Sequence, residues 1–229
     1  MQILVNSCSS YSDAWSPFFA LFAKFWADCP YPVSLVTDDT SLDVPEWCKL
    51  VIRHDVSWCH NLLRALRDVT TATVLPLQED FFLCQPVLTS KIAALKDWLR
   101  WSDYDCVRLF PCPGADGERI TDEIGVVTSR NVCPISCQAT IWKTASLIRY
   151  LELVTQRRSG RPADFETAGR EFIRHFKLAS WLRETDKDSW PFSYHASAIA
   201  RGEWMKGALD LCAKFGVPLD TSRRPVMAD

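Results

Sequence analysis

The sequence predicts an α/β fold: a mixed sheet flanked by helices, with an irregular C-terminal part. Three observations predict it. Up to residue 112, short apolar runs alternate with segments whose apolar residues recur at helical spacing, as in a sheet built from crossover units. Pro111, Pro113, Gly114 and Gly117 then make the clearest break in the chain. Beyond that break the strand–helix alternation weakens.

Each element has its own signal. Ile3-Leu4-Val5 reads as a buried strand that stops at the small polar run Asn6-Ser7-Cys8-Ser9-Ser10. Ser16 and Pro17 read as N-cap and first helical residue, and Phe18, Phe19, Phe22, Phe25 and Trp26 carry the helix until Pro30. Strands are expected at 32–36, 50–52 and 73–77, and Pro76 assigns the last to an edge or a bend. Trp58, Leu62, Leu63, Leu66 and Val69 mark a helix, with Arg64 and Arg67 off its apolar stripe. Ile92, Leu95, Trp98 and Leu99 mark another, followed by a strand at 106–110. The second half is expected to hold a strand at 124–127 and helices at about 139–154, 166–178 and 204–215.

Composition narrows the class. A chain of 229 residues, 48% hydrophobic and 24% charged, fits one globular domain. The 10 Trp and 12 Phe can fill a core or line a groove. A net charge of -2 gives no electrostatic reason to expect nucleic acid, and Arg157-Arg158 with Arg161, and Arg223-Arg224, read as solvated loops. There is no leader-like N-terminus and no apolar run long enough for a transmembrane segment, so a cytoplasmic protein is expected. The 10 Cys form no paired CxxC site and read as reduced, structural thiols.

Open α/β sheets bind ligands beyond the carboxyl ends of their strands. The residues in that position are Asn6 and Ser7 after the first strand, Asp38 and Asp39 after the second, and Gln78, Glu79 and Asp80 after 73–77. Adjacent carboxylates at a strand end suit a hard divalent cation, which a diphosphate leaving group needs to offset its charge. No GxGxxG follows the first strand, which disfavours a dinucleotide enzyme.

The segment Val74-Leu75-Pro76-Leu77-Gln78-Glu79-Asp80-Phe81-Phe82-Leu83 resembles the strand and acidic DxD motif of GT-A glycosyltransferases. Arg108-Leu109, Gln138-Ala139-Thr140-Ile141-Trp142, Asp164-Phe165-Glu166-Thr167-Ala168-Gly169, Tyr194 and Arg201-Gly202-Glu203-Trp204 follow it. Their order is similar to that in a group of bacterial glycosyltransferase-like proteins, and the resemblance spans residues 3–207. Gln78 departs from the pattern, standing where many of these enzymes have the first Asp of DxD.

The resemblance implies a GT-A, Rossmann-like domain over 1–229, with 1–112 as the nucleotide-sugar-binding half and 113–229 as the acceptor-side half. It implies transfer from a nucleotide-sugar donor to a glycan or other hydroxyl acceptor, inverting and assisted by Mn2+ or Mg2+. Donor contacts would come from Asn6, Ser7, Asp38, Arg64, Gln78 and Glu79, and metal ligands from Asp80, Glu79 and His195. Glu166, or Asp164, would be the catalytic base. Gln138 and Trp142 would meet the acceptor, while Trp204 is assigned to the core. The alternative is a non-catalytic sugar-nucleotide- or glycan-binding protein on the same scaffold, for which Gln78 is the best support.

Overall fold

The computed structural model describes residues 1–38, 44–54 and 57–228. Asp39 lies outside the described residues. The first half contains β1 (Gln2–Asn6), a 3-10 segment (Ser9–Ala14), α1 (Trp15–Phe25), β2 (Val33–Thr37), β3 (Cys48–Ile52), α2 (Trp58–Arg67) and β4 (Thr73–Leu77). Then come β5 (Phe82–Leu83), α3 (Thr89–Trp101), β6 (Cys106–Arg108), β7 (Ile124–Val127), β8 (Thr140–Lys143), α4 (Thr144–Arg157) and α5 (Pro162–Phe172). The chain continues with β9 (Leu178–Trp181), β10 (Tyr194–His195), β11 (Ile199–Ala200), β12 (Glu203–Trp204) and α6 (Lys206–Phe215).

One eight-stranded sheet runs β3-β2-β1-β4-β8-β6-β9-β7, taking strands from both sides of residue 112. β1 to β4 are parallel; β8 runs antiparallel between β4 and β6, and β9 is parallel to β6. The carboxyl ends of β1, β2, β3, β4, β6 and β9 therefore share one edge with the amino end of β8. Alternation along the strands divides the core in two. Ile3, Val5, Leu35 and Leu75 pack with α1, α3 and α6, whereas Leu4, Val36, Val74 and Trp142 pack with α2, α4 and α5. Each buried ring of α1, such as Phe18 or Phe22, contributes about 1.5–3 kcal/mol.

The structure corrects several expected elements. Pro76 lies in a central strand, not at an edge: the β4–β8 ladder involves only Thr73 and Val74 and ends before Pro76, so its missing N–H breaks no bond there. Ser16 is not the cap of α1, because the 3-10 segment feeds the helix directly and starts it at Trp15. Residues 140–143 form a strand rather than the start of a helix; Thr140, Ile141 and Trp142 suit a pleated, buried position between β4 and β6. The expected helix at 166–178 begins at Pro162, and its end gives way to β9, held inside the sheet by β6 and β7.

Candidate functional site

The site is built at the carboxyl ends of β1 and β4. Their register pairs Val5 with Leu77, so the turns Asn6-Ser7 and Gln78-Glu79-Asp80 leave the sheet side by side. Glu79 is only 7% exposed and Asp80 8%. Phe81 N–H donates to Gln78 carbonyl (3.2 Å) and Ala198 N–H to Asp80 carbonyl (2.9 Å), which closes the turn and tucks both side chains inward.

Burial disfavours charge on both. It pushes Glu79 up to about 8, with the Asp80 charge adding to the effect, while its own backbone N–H, the Ser7 hydroxyl and Arg224 pull it back. Burial pushes Asp80 up to about 6, opposed by the N–H of Ile199, its own N–H and Arg224. The charge on each carboxyl raises the cost of charging the other, so the two titrate as a pair.

Buried polar atoms are nearly always hydrogen-bonded, so the exceptions locate missing partners. Among the described residues, buried side-chain atoms without a partner are Asn6 Oδ1, Asp80 Oδ1, Ser136 Oγ, Ser193 Oγ, His195 Nδ1 and Arg158 Nε. All but the last belong to the strand ends or to segments packed on them. Ser136 lines a small cleft with Gln78 and Gln138, and β10 pairs with β5 just after Asp80.

The loop after β1 is tied down on both sides. Ser9 N–H donates to Asp38 Oδ1 (2.6 Å), so Asp38 orders this loop. Trp15 Nε1 donates to Ser7 Oγ (2.8 Å). From the far end of the chain, Arg224 Nε and Nη2 donate to Asp13 Oδ2 (3.0 Å) and Oδ1 (3.1 Å). The guanidinium lies 4.7 Å from the Tyr11 ring. Arg224 is thus buried and bound, not part of a solvated loop.

On the other side, Gln138 Oε1 accepts from the Tyr194 hydroxyl, which in turn accepts from Ala139 N–H (3.0 Å). The Tyr194 ring stacks on Phe81 at 4.5 Å, joining this loop to the carboxylate turn. Glu166 Oε1 accepts from Cys137 N–H at 2.9 Å. Gly169 makes that possible: a Cβ there would lie 2.9 Å from Ile135 Cβ, so only glycine lets α5 approach this loop so closely. The Cys137 thiol lies within electrostatic reach of both Glu166 and Asp80.

Other expected residues are placed elsewhere. Trp142 is 1% exposed, its ring stacked on Tyr150 at 6.1 Å, and is core rather than an acceptor platform. Asp164 accepts from Ser159 Oγ (2.5 Å) and Arg161 N–H (3.0 Å), bonds that hold its carboxyl below the usual range; it caps α5 rather than facing the site. Arg64 is exposed on α2 in a shallow pocket of about 530 Å³ with Arg53, His54 and Arg67, and is not among the charges acting on Glu79 or Asp80. His195 sits in β10 with its ring packed on Gly207 of α6, where an added Cβ would be 2.5 Å from Nε2. Among the described residues no three His, Cys, Asp or Glu side chains converge for a metal, so His195 is not gathered with Glu79 and Asp80. Trp204 is fully buried, in the core as expected.

Arg224, Asp13 and Tyr11 are the site residues that sequence reasoning missed. No spacing links residues 13 and 224, and a polar, proline-containing tail carries no sign of burial.

No protein-family model matches the chain, and no curated protein matches it in sequence. Solved structures are similar to it in fold. The 2-C-methyl-D-erythritol 4-phosphate cytidylyltransferase of Thermus thermophilus aligns with a TM-score of 0.54 at 11% identity, over 94% of this chain and 98% of that one. Residues 1–349 of S. aureus TarS align with a TM-score of 0.50 at 14% identity, over 81% of this chain and 59% of that one. The apo-form glycosyltransferase GlyE of Streptococcus pneumoniae TIGR4 gives a TM-score of 0.48 at 12% identity, over 77% and 44%. The architecture is α/β, a mixed eight-stranded sheet flanked by helices, similar in fold to that of the Thermus thermophilus cytidylyltransferase. No helix among the described residues is long and apolar enough to cross a membrane.

Proposed function

We propose that this chain is a glycosyltransferase that moves a sugar, with inversion, from a nucleotide-diphosphate-sugar donor to a hydroxyl of a glycan or other acceptor. The observation that carries this reading is the buried Glu79-Asp80 pair beside Asn6, with Asp80 Oδ1 and Asn6 Oδ1 both lacking partners. Such atoms at the edge where open α/β sheets take their ligands call for a polar substrate. Residues 1–112 would hold the nucleotide, and the acceptor would approach from the Gln138–Glu166 side of 113–229.

The donor set fits Mn2+ or Mg2+. Two carboxylates supply hard oxygens, and Mg2+ is commonly held by one or two carboxylates plus substrate phosphates. Asp80 and Glu79 would hold it, and the cation would offset the charge of the departing diphosphate. Glu166 is the base: its Oε1 is fixed by Cys137 N–H, which leaves Oε2 to take the acceptor proton. As that proton leaves, the acceptor oxygen bonds the anomeric carbon, the bond from that carbon to the β-phosphate oxygen breaks, and the nucleoside diphosphate departs. Gln138, oriented by Tyr194, stands beside Cys137 on the acceptor side.

A thermal-shift panel of nucleoside diphosphates, with and without manganese, tests the donor half; a flat panel sinks the reading. Glu166→Gln tests the other half. The expected result is a loss of about 10²- to 10⁴-fold in kcat with donor affinity unchanged. Gln78 favours a second reading, a non-catalytic binder on this scaffold; stabilisation by a nucleotide sugar without any turnover or hydrolysis would select it.

A further inference from the structure

A buried arginine has to be accounted for. The Arg224 side chain is 9% exposed and that of its partner Asp13 1%, although the residue comes from a terminal segment that composition assigns to solvent. Desolvating an ion pair costs several kcal/mol per ion, so such a pair is weak support for stability as such. The geometry shows what it achieves: four hydrogen bonds hold the guanidinium in one orientation. Nε and Nη2 form a fork on Asp13, Nη2 also donates to Ser10 carbonyl (3.0 Å) and Nη1 to Gly202 carbonyl (3.1 Å). Tyr11 and Trp204 lie 4.7 and 5.7 Å from its carbon. The backbone is pinned on the near side and beyond, with Trp204 N–H on Pro225 carbonyl (2.8 Å) and Met227 N–H on Trp204 carbonyl (2.9 Å).

A guanidinium has five N–H donors. Four have partners here, so one on Nη1 remains without one among the described residues. Its charge acts on both Glu79 and Asp80. The other buried arginine near this edge, Arg108, spends its donors on the carbonyls of Pro113, Cys133 and Pro134. Arg53 and Arg64 line the separate pocket beside β3.

We propose that Arg224 is the anion-binding residue of this site, locked by Asp13 and the two rings so that its remaining Nη1 donor takes the substrate diphosphate. The proposal rests on the reading of the site as one for a nucleotide diphosphate. Preorganised guanidinium donors suit phosphate oxygens and need no reorganisation as charge develops on the leaving group. A fixed cation also makes sense of Gln78: where the acidic motif lacks its first carboxylate, a permanent positive charge supplies part of what a tightly held metal would. Asp13 is then a positioning residue and Arg224 the ligand-binding one.

Calorimetric titration of the whole chain with inorganic pyrophosphate, and with nucleoside diphosphates and their parent nucleosides, tests this on wild type, Arg224→Gln and Arg224→Lys. The expected result is a loss of about 10- to 100-fold for diphosphates and pyrophosphate in Arg224→Gln, with nucleoside binding unchanged. Arg224→Lys, which keeps the charge and loses the fork, should fall between; it also serves if the Gln variant does not fold. Equal losses for nucleoside and diphosphate, or no loss, would overturn the proposal and leave the glycosyltransferase reading standing. Binding of pyrophosphate but of no nucleotide, lost in Arg224→Gln, would keep Arg224 and sink that reading. No binding of either probe to wild type would end both.

Discussion

The chain carries two acidic pairs that look alike on paper, Glu79-Asp80 and Asp164 with Glu166, and the fold treats them oppositely. The first is buried at a strand end, raised toward neutrality by burial, and keeps an oxygen without a partner. Asp164 has its bonds supplied by Ser159 and Arg161, and Glu166 has one oxygen on Cys137. The contrast of Asp80 with Asp164 teaches how to separate ligand sites from scaffolding: a carboxylate that caps a helix is satisfied by its own fold, whereas a buried one with an oxygen left over is completed only by something that arrives.

Four substitutions can break or sharpen that contrast. Trp142→Ala has the largest expected effect, about 3–5 kcal/mol of lost stability in chemical denaturation, because the ring fills the core under α4. A small loss together with weakened acceptor binding would return Trp142 to the site. Asp80→Asn is next: donor turnover should fall by at least about a hundredfold, while the melting temperature is kept or raised, since a buried charge is removed. Retained turnover would take the metal role from Asp80.

Glu79→Gln reads the burial itself. A carboxyl raised in the folded state stabilises below its unfolded value, and that stability is lost as pH rises through the folded value. For Glu79 the window runs from about 4.5 to about 8. The melting temperature of Glu79→Gln minus that of wild type, measured in chelator, should therefore be smallest on the acid side and grow toward pH 8. A constant gap would contradict the burial of this carboxyl. Asp164→Ala comes last: loss of the cap should lower the melting temperature by about 2–4 °C without changing kcat.

How far the sequence could be read depends on the kind of element. β1, β2 and β4 are parallel strands buried along most of their length, so each is a near-continuous apolar run, whereas β3 is a half-buried edge strand marked only by Leu50-Val51-Ile52; each was visible. β8 was absorbed into the helix after it, because Thr140-Ile141-Trp142 is short and merges with the apolar stripe of α4. β9 follows α5 after only the 3-10 turn Ile173–His175, so its Leu178 read as the last turn of a helix. Within the site, Glu79 and Asp80 could be found by their position after a strand. Trp142 could not be separated from a stacking residue, since burial is a property of neighbours from α4 and beyond.

By itself the sequence determined the α/β alternation, the turn-rich break after β6 and the acidic turn at the end of β4. All are local, set by side-chain period and by where polar residues interrupt apolar runs. Only the tertiary structure decided that β8 and β9 enter the sheet, that Asp164 is a cap, that His195 faces α6, and that Arg224 returns to Asp13 across the chain. Those outcomes depend on which distant segments meet and on which buried polar atoms find partners, and neither is written in any local stretch of residues.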